Sequence, residues 1–247
     1  DDRVALVFRN ERGTRRALTY RELHAEVARV AAGLRELGIR PGDRVAGFLP
    51  NLPEAVIAML ATTSLGAVWT ACAPDFGING VLDRFGQIEP RVLFTADGYF
   101  YGGKTLDSLG PISDVLERLP SVEKVVVVSY VASNPDFSSL PAAVAYGDFG
   151  RPGTSLEFTR VEFDAPLYVM YSSGTTGRPK GIKKDFEGNR IDVPNAFLKI
   201  LCADMCGMSS DSIYLSPAPL YHAAPLRFNM MAITLGGTSA IMEHFDA

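Results

Sequence analysis

The sequence predicts an α/β fold in which doubly wound, mostly parallel sheets are flanked by helices. Short apolar segments alternate with segments that carry apolar residues at helical spacing, the pattern of repeated strand–helix units. The segment KVVVVSY, residues 124–130, is apolar along its length, which predicts a strand buried on both faces. The 247 residues suffice for one large domain or two small ones.

The first segments predict a hairpin, a helix, a strand and a second helix. VALVFRN and RRALTY flank a turn at ERGT and predict the hairpin. Thr19 and Glu22 form a capping box at the start of the helix, and Gly38 ends it. RVAGFLP predicts the strand, and Asn51 with Glu54 is expected to cap the second helix.

The alternation continues to the end of the chain. Further strands are predicted at AVWTACA, RVLFTA, PLYVMY, SIYLSPAP and TSAIMEHF. Further helices are predicted around Val81–Ile88 and at ISDVLERL, VPNAFLKILCADM and HAAPLRFNMMAITLGG. Residues 131–164 show no sustained period and predict a long connection. Trp69 is expected in the core or in a pocket wall, and the final strand is expected to expose apolar surface.

Composition excludes several classes of protein. The net charge of −4 offers no basic face to nucleic acid or to an acidic membrane, so neither is expected as a partner. No apolar run approaches the roughly 20 residues of a membrane span. Cys72, Cys202 and Cys206 are too few for a disulfide framework and predict a reducing, cytoplasmic location. Cys202 and Cys206 lie one helical turn apart, but packed thiols are a better interpretation than a metal site, and no metal ligands are predicted.

The run YSSGTTGRPKG, residues 171–181, is the main candidate for a functional site. It combines three glycines, four Ser/Thr hydroxyls and two cations directly after a predicted strand, and open α/β sheets bind ligands at the carboxyl ends of their strands. Such donors, with backbone N–H groups freed by glycine, predict a loop that binds phosphates. The alternative is a solvated surface loop. A Walker loop does not fit, because Pro179 occupies the position of its second glycine.

This run resembles the signature loop of the adenylate-forming superfamily, which includes acyl-CoA synthetases, luciferases and nonribosomal adenylation domains. The resemblance extends over the whole chain through LTYREL, ATTSLGAVWTACAPDFG and LSPAPLYHAAPL. Up to about Met170, PDFGINGVLDRFGQIEPRVLFTADGYFYGGK is most similar to the acetoacetyl-CoA synthetases. After Gly181 the chain is more similar to fatty or other acyl-CoA synthetases.

The resemblance implies ligation in two steps, with ATP, Mg²⁺ and coenzyme A. A carboxylic acid, acetoacetate or another short acid, would form an acyl adenylate and then an acyl-CoA. The alternatives are a fragment of a medium- or long-chain fatty acyl-CoA synthetase, a domain that delivers to a carrier-protein thiol, a luciferase-like relative, and an inactive truncated scaffold. No oligomeric state is predicted.

The resemblance also implies roles for particular residues. Lys180 and His222 are the expected catalytic residues, and Tyr221 and His222 are expected to line the acid pocket, although a lone His beside prolines also fits a packing role. The residues expected to hold the phosphates of ATP are Ser172, Ser173, Gly174, Thr175, Thr176, Gly177 and Lys180. Residues 1–247 would be part of the N-terminal AMP-binding domain. The family's adenine, ribose and catalytic-lysine motifs would lie outside them, so the fragment alone is expected to be inactive.

Overall fold

The computed structural model describes residues 1–162, 164–171, 181–182, 200–216, 218, 220–221 and 223–243, with 181–182 and 223–224 as backbone only. The α-helices within these residues are α1 (Tyr20–Glu36), α2 (Pro53–Ser64), α3 (Ile78–Ile88), α4 (Leu109–Leu116) and α5 (Ala223–Thr234). A 3₁₀ helix spans Tyr146–Asp148, and a π-helix spans Ile200–Met205 at the end of the helix predicted at VPNAFLKILCADM, whose residues 193–199 lie outside the described residues. The strands are β1 (Val4–Arg9), β2 (Arg15–Thr19), β3 (Arg44–Phe48), β4 (Val68–Cys72), β5 (Val92–Ala96), β6 (Gly98–Tyr101), β7 (Lys104–Asp107), β8 (Lys124–Val128), β9 (Ala143–Ala145), β10 (Met170–Tyr171), β11 (Gly181–Ile182), β12 (Ile213–Ser216) and β13 (Thr238–Met242).

The central sheet has five parallel strands in the order β4-β3-β5-β8-β9. Its side chains alternate between two cores. Phe94 and Val126 pack in the core that contains α1 and α2, whereas Leu93 and Val125 pack with α3 and α4 on the other face. Helices therefore cover both faces, which confirms the doubly wound fold and explains why β8 is apolar along its length.

A second sheet has four strands in the order β12-β13-β1-β2. Its hairpin of β1 and β2 was predicted, but the parallel pairing of β1 with β13 was not. This pairing aligns Leu6 with Ser239 and joins distant parts of the sequence. Leu6, Phe8 and Ile241 belong to the same core as α1 and α2, so one core connects the two sheets.

The strand of this sheet that exposes apolar side chains is not the one that the sequence predicted. The last strand, β13, is paired on both sides, between β12 and β1, and none of its residues is exposed, so the expectation that it exposes apolar surface was wrong. The outer strand β12 carries the exposed side chains instead, with Ile213 at 73% and Leu215 at 51% exposure.

The long connection after β8 is fastened to α1. The buried Arg29 donates hydrogen bonds to the carbonyls of Tyr146 (2.9 Å) and Phe149. Gly150 has a φ of +80°, and a Cβ there would lie 1.9 Å from the carbonyl oxygen of Arg29, so only glycine fits. The connection also supplies β9, the edge strand of the central sheet, which its irregular sequence did not predict.

The start of α2 differs from its prediction. The N-cap residue is Leu52, no side chain caps the helix, and Pro53 occupies its first turn. Glu54 is buried and accepts a hydrogen bond from Arg16 at 2.6 Å. Asn51 and Glu54 therefore do not form the predicted cap, whereas the capping box of Thr19 and Glu22 on α1 is confirmed.

Arg91 joins three strand starts at the amino edge of the central sheet. Its guanidinium donates to Asp43 at 2.7 Å and to Glu123 at 2.8 and 2.9 Å. It also reaches the carbonyls of Gly38 (3.1 Å) and Leu37 (3.3 Å) at the end of α1. Hydrogen bonding to Arg91 lowers the pKa of Glu123, so this contact contributes stability at neutral pH.

None of the helices in the described ranges is long and apolar enough to cross a membrane.

We expect Arg91→Ala to lower the free energy of unfolding by about 2 kcal/mol at pH 7, because it removes charged hydrogen bonds to two partly exposed carboxylates. The difference from the parent chain should shrink as the pH falls below about 4.3, the ordinary pKa of glutamate, and Glu123 becomes protonated. Urea unfolding at several pH values measures both effects. Arg118→Ala, at an exposed arginine, is the control and should change stability little.

Candidate active site

A cleft lies where the carboxyl ends of strands from both sheets meet. From the central sheet it receives residues 49–51 after β3 and 73–75 after β4. From the second sheet it receives Tyr221 after β12 and Glu243 after β13, while β6 contributes residues 99–101. Parallel sheets open their ligand crevices at this edge, so the cleft occupies the position that the fold class predicts for a site.

The cleft has a cavity volume of about 90 Å³, and a smaller cavity adjoins it and shares Leu49, Pro50, Asn51 and Tyr221. Trp69 lines the smaller cavity and is 3% exposed, so it is both a core residue and a pocket wall, as expected. Its ring fits against β3 because residue 47 is glycine, where a Cβ would lie 2.7 Å from the indole.

Asn51 holds the two sheets together at the cleft. Its side-chain oxygen accepts a hydrogen bond from the backbone N–H of Leu220 at 2.9 Å. Its side-chain nitrogen donates to the carbonyl of Met242 at 3.1 Å. Asn51 is only 7% exposed, so these bonds satisfy an amide that is costly to bury unpaired. One side chain thereby fixes the segment after β3 against the ends of β12 and β13.

The wall of the cleft is aromatic and acidic. Tyr99, Phe100, Tyr101 and Tyr221 line it. Burial raises the pKa of Tyr221, and the nearby carboxylate of Asp75 raises it further, so this phenol stays protonated at neutral pH.

Two carboxyl groups, those of Asp75 and Glu243, lie on the same wall. Glu243 accepts a hydrogen bond from the backbone N–H of Phe100 at 3.1 Å. The described lining of the larger cavity contains no lysine or arginine. A polyanionic ligand at this edge would therefore need cations from elsewhere in the chain.

The segment before the predicted phosphate loop runs beside β4. Tyr168 forms a parallel bridge with Trp69, and the N–H of Val169 donates to the carbonyl of Trp69 at 2.9 Å. This segment was expected to form a full buried strand. It instead makes one bridge, followed by β10, in which Tyr171 pairs antiparallel with Gly181. The parallel direction still brings Tyr171 to the carboxyl edge of the central sheet.

The predicted site residues divide into two groups. Tyr221 is described and lines both cavities. The others lie outside the described residues, namely Ser172, Ser173, Gly174, Thr175, Thr176, Gly177, Lys180 and His222. Their roles remain predictions.

Arg84 on α3 is a residue that the sequence reasoning missed. Its guanidinium carbon lies 4.2 Å from the ring centroid of Phe76 and 5.7 Å from that of Tyr171. Phe76 in turn makes an edge contact with Tyr221, with ring centroids 5.6 Å apart. The only signal in the sequence was that the helix after β4 carries an arginine. From helical periodicity alone, this arginine is predicted to be a polar residue on the surface.

The cysteines and the other acidic and histidine side chains form no group of three or more that could hold a metal in the described ranges. All three thiols are free. Cys72 and Cys202 are buried, whereas Cys206 is exposed, which corrects the expectation of two packed thiols. Burial raises the pKa of Cys72, so this thiol is protonated and unreactive at neutral pH.

Comparison with known proteins gives one family. A family model described as "AMP-binding enzyme" matches residues 1–247. The acetoacetyl-CoA synthetase of Macaca fascicularis is 46% identical over 188 residues, which are 73% of this chain and 28% of that protein. The malonamoyl-CoA synthetase vrtB of Penicillium aethiopicum is 43% identical over 190 residues, 74% of this chain and 26% of that protein.

A solved structure is also similar. The acetoacetyl-CoA synthetase from Streptomyces lividans superimposes with a TM-score of 0.84 at 36% identity, over 98% of this chain and 36% of that one. The chain thus spans a little over a quarter of the length of these two curated relatives.

We expect Asn51→Ala to lower the free energy of unfolding by about 2–3 kcal/mol, because the buried N–H of Leu220 and the carbonyl of Met242 lose their partner. Asn51→Asp should also destabilise, since a carboxylate would face the Met242 carbonyl in place of a donor. Chemical denaturation measures both variants. Asn134→Ala, at an exposed asparagine, is the control; equal stability of all four proteins would contradict the role given to Asn51.

Proposed function

Because the chain belongs to the AMP-binding enzyme family, we propose that it is part of the N-terminal adenylation domain of an ATP-dependent carboxylate–CoA ligase. The observation that carries this proposal is the family match over residues 1–247, together with a cleft at the carboxyl ends of both sheets. Residues 1–247 would then be one portion of a larger domain, in keeping with their share of the relatives' length.

The acid that we propose is short and carries a carbonyl group at the β-position. The names of two relatives support this, because an acetoacetyl group and a malonamoyl group both have a carbonyl two carbons from the thioester carbonyl. Acetoacetate is the first candidate, since it occurs in the name of both the curated relative and the solved structure. The fatty-acid alternative has no comparable support.

We propose that Ser172, Ser173, Gly174, Thr175, Thr176, Gly177 and Lys180 bind the phosphates of ATP. Two observations support this. The flanking strands β10 and β11 pair with each other, and Tyr171 lies at the carboxyl edge of the central sheet. The described cleft lining is acidic, so the cations needed by a triphosphate would come from this segment, which contains Arg178 and Lys180.

In the first step the carboxylate would attack the α-phosphorus of ATP, forming the acyl adenylate and releasing pyrophosphate. Lys180 and the hydroxyls of the segment would stabilise the charge on the phosphate oxygens as the bond to pyrophosphate breaks. Bound Mg²⁺ would supply further neutralisation of that charge. Asp75 and Glu243 are the only acids among the described cleft residues, too few to assign a magnesium site.

In the second step the thiol of coenzyme A would attack the acyl carbonyl, and AMP would leave. We propose that Tyr221 and His222 position the acid in both steps. The protonated phenol of Tyr221 and the aromatic wall beside it suit a small polar acid that must be kept from bulk water. A cytoplasmic setting fits the free thiols of Cys72, Cys202 and Cys206.

The test is pyrophosphate exchange in the full-length natural polypeptide that carries this sequence. With ATP and Mg²⁺, we expect exchange to depend on acetoacetate or malonamate and to be much weaker with acetate or octanoate. Strong exchange with octanoate alone would favour a fatty acyl-CoA synthetase. An absence of exchange with every acid would contradict the ligase and favour a non-catalytic scaffold.

We expect Lys180→Ala to slow pyrophosphate exchange by about 10²-fold or more, because one charge-stabilising donor to the phosphates is lost. The unfolding midpoint should stay close to that of the parent protein. Lys124→Ala, which removes a lysine from the amino edge of the same sheet, is the control and should leave exchange unchanged. Equal exchange rates for both variants would refute the role of Lys180.

A further inference from the structure

The guanidinium of Arg84 lies within cation–π distance of two aromatic rings that belong to different parts of the site. It lies 4.2 Å from the ring centroid of Phe76 and 5.7 Å from that of Tyr171. Its Nη1 also donates to the carbonyl of Gly80, one turn earlier on α3, at 2.8 Å. This bond restrains the side chain, so its charge stays near both rings.

The contact with Tyr171 holds the strand that leads into the glycine-rich segment. The phenol of Tyr171 donates a hydrogen bond to the backbone carbonyl of Arg84 at 2.9 Å. Tyr171 therefore meets Arg84 twice, through its ring and through its hydroxyl. Since Tyr171 directly precedes Ser172, a shift of α3 relative to β10 would move the start of that segment.

The contact with Phe76 leads to the wall of the cleft. The ring of Phe76 packs edge-on against Tyr221 with centroids 5.6 Å apart. Arg84 is near enough to oppose, in part, the rise in the pKa of Tyr221 that burial and Asp75 cause. The same guanidinium is thus near Tyr171, which directly precedes the segment predicted to bind phosphate, and is linked through Phe76 to Tyr221, which is predicted to contact the acid.

We propose that Arg84 is a positioning residue that sets the distance between the two substrate subsites, through Tyr171 on one side and through Phe76 and Tyr221 on the other. This proposal rests on the proposed ligase function. Attack of a carboxylate on the α-phosphorus requires the two reactants to be held at near-contact distance, and a small misplacement of either reactant slows the reaction strongly. The guanidinium of Arg84 contacts Tyr171 on one side and Phe76, which packs against Tyr221, on the other.

Arginine suits this position better than lysine. A planar guanidinium stacks on an aromatic face and still donates in its own plane, as Nη1 does to Gly80. A lysine would keep the charge but lose the stacking. An uncharged chain of similar length, such as methionine, would keep most of the packing but lose the attraction to both rings.

The kinetic test compares Arg84→Met and Arg84→Lys in the full-length protein by pyrophosphate exchange. We expect Arg84→Met to raise the KM for ATP about tenfold and to lower kcat, with Arg84→Lys intermediate. Tyr171→Phe removes the hydroxyl bond to the Arg84 carbonyl but keeps the ring beside the guanidinium, so it should give a smaller change of the same kind.

Arg91→Ala is the matched control, because it removes an arginine from the opposite edge of the same sheet. We expect it to lower stability while leaving KM unchanged. Unchanged KM and kcat in Arg84→Met, in a protein whose parent is active, would overturn the proposal. The same KM change in Arg91→Ala would also overturn it, because the effect would then be one of general stability.

A second measurement separates this proposal from the ligase function. Hydrogen exchange in the full-length protein can be followed in peptides that contain Tyr171, Ile182 and Tyr221. We expect Arg84→Met to speed exchange in all three and Arg91→Ala to leave them unchanged. Faster exchange with no enzymatic activity in the parent protein would refute the ligase alone, whereas unchanged exchange in Arg84→Met would refute the positioning role.

Discussion

The central sheet is covered by helices on both faces, and the location of the site depends on that constraint. Successive residues of one strand, such as Val125 and Val126, enter different cores. A ligand therefore cannot lie on a face of this sheet without displacing a helix layer. It can reach the sheet only at its edges, where the strands end and the loops begin. The amino edge is occupied by the ion pairs of Arg91 with Asp43 and Glu123, so the carboxyl edge is the one where a ligand can bind.

The second sheet turns this edge into a cleft. Its strands β12, β13 and β1 run parallel to one another, so residues after β12 and β13 emerge together. Asn51 connects them to the central sheet through its two hydrogen bonds, and Glu243 connects the end of β13 to Phe100 of β6, in the separate two-stranded sheet of β6 and β7. A buried amide and a buried carboxylate are costly unless paired, so these contacts specify one relative placement of the two sheets.

The parts of the fold that were predictable depend on near neighbours in sequence. The cap of α1 needs only Thr19 and Glu22, three residues apart, and it was predicted correctly. Asn51 looked like a cap for the same local reason. Its actual partners, Leu220 and Met242, lie 169 and 191 residues away, and no local pattern encodes such a pairing. The same holds for the pairing of β1 with β13 and for the docking of Gly150 on α1.

The site shows the same division. The segment 172–180 was predicted to bind phosphate from its composition and from its place after a predicted strand. Tyr221 was predicted to line the acid pocket from the family resemblance. Arg84 was missed because its importance comes from two rings that the fold brings together, Phe76 and Tyr171. The acidic lining of the cleft was missed too, since Asp75 and Glu243 are far apart in sequence and become neighbours only when both sheets are assembled.

Trp69 is the only tryptophan in the chain, and it stands in the wall of the smaller cavity beside Tyr221 and Asn51. Gly47 leaves the space that its indole fills, so the ring is held in one environment. Tryptophan fluorescence of these 247 residues therefore originates at a single place next to the cleft. Its emission maximum and its quenching by small solutes report on occupancy of that cavity without any label.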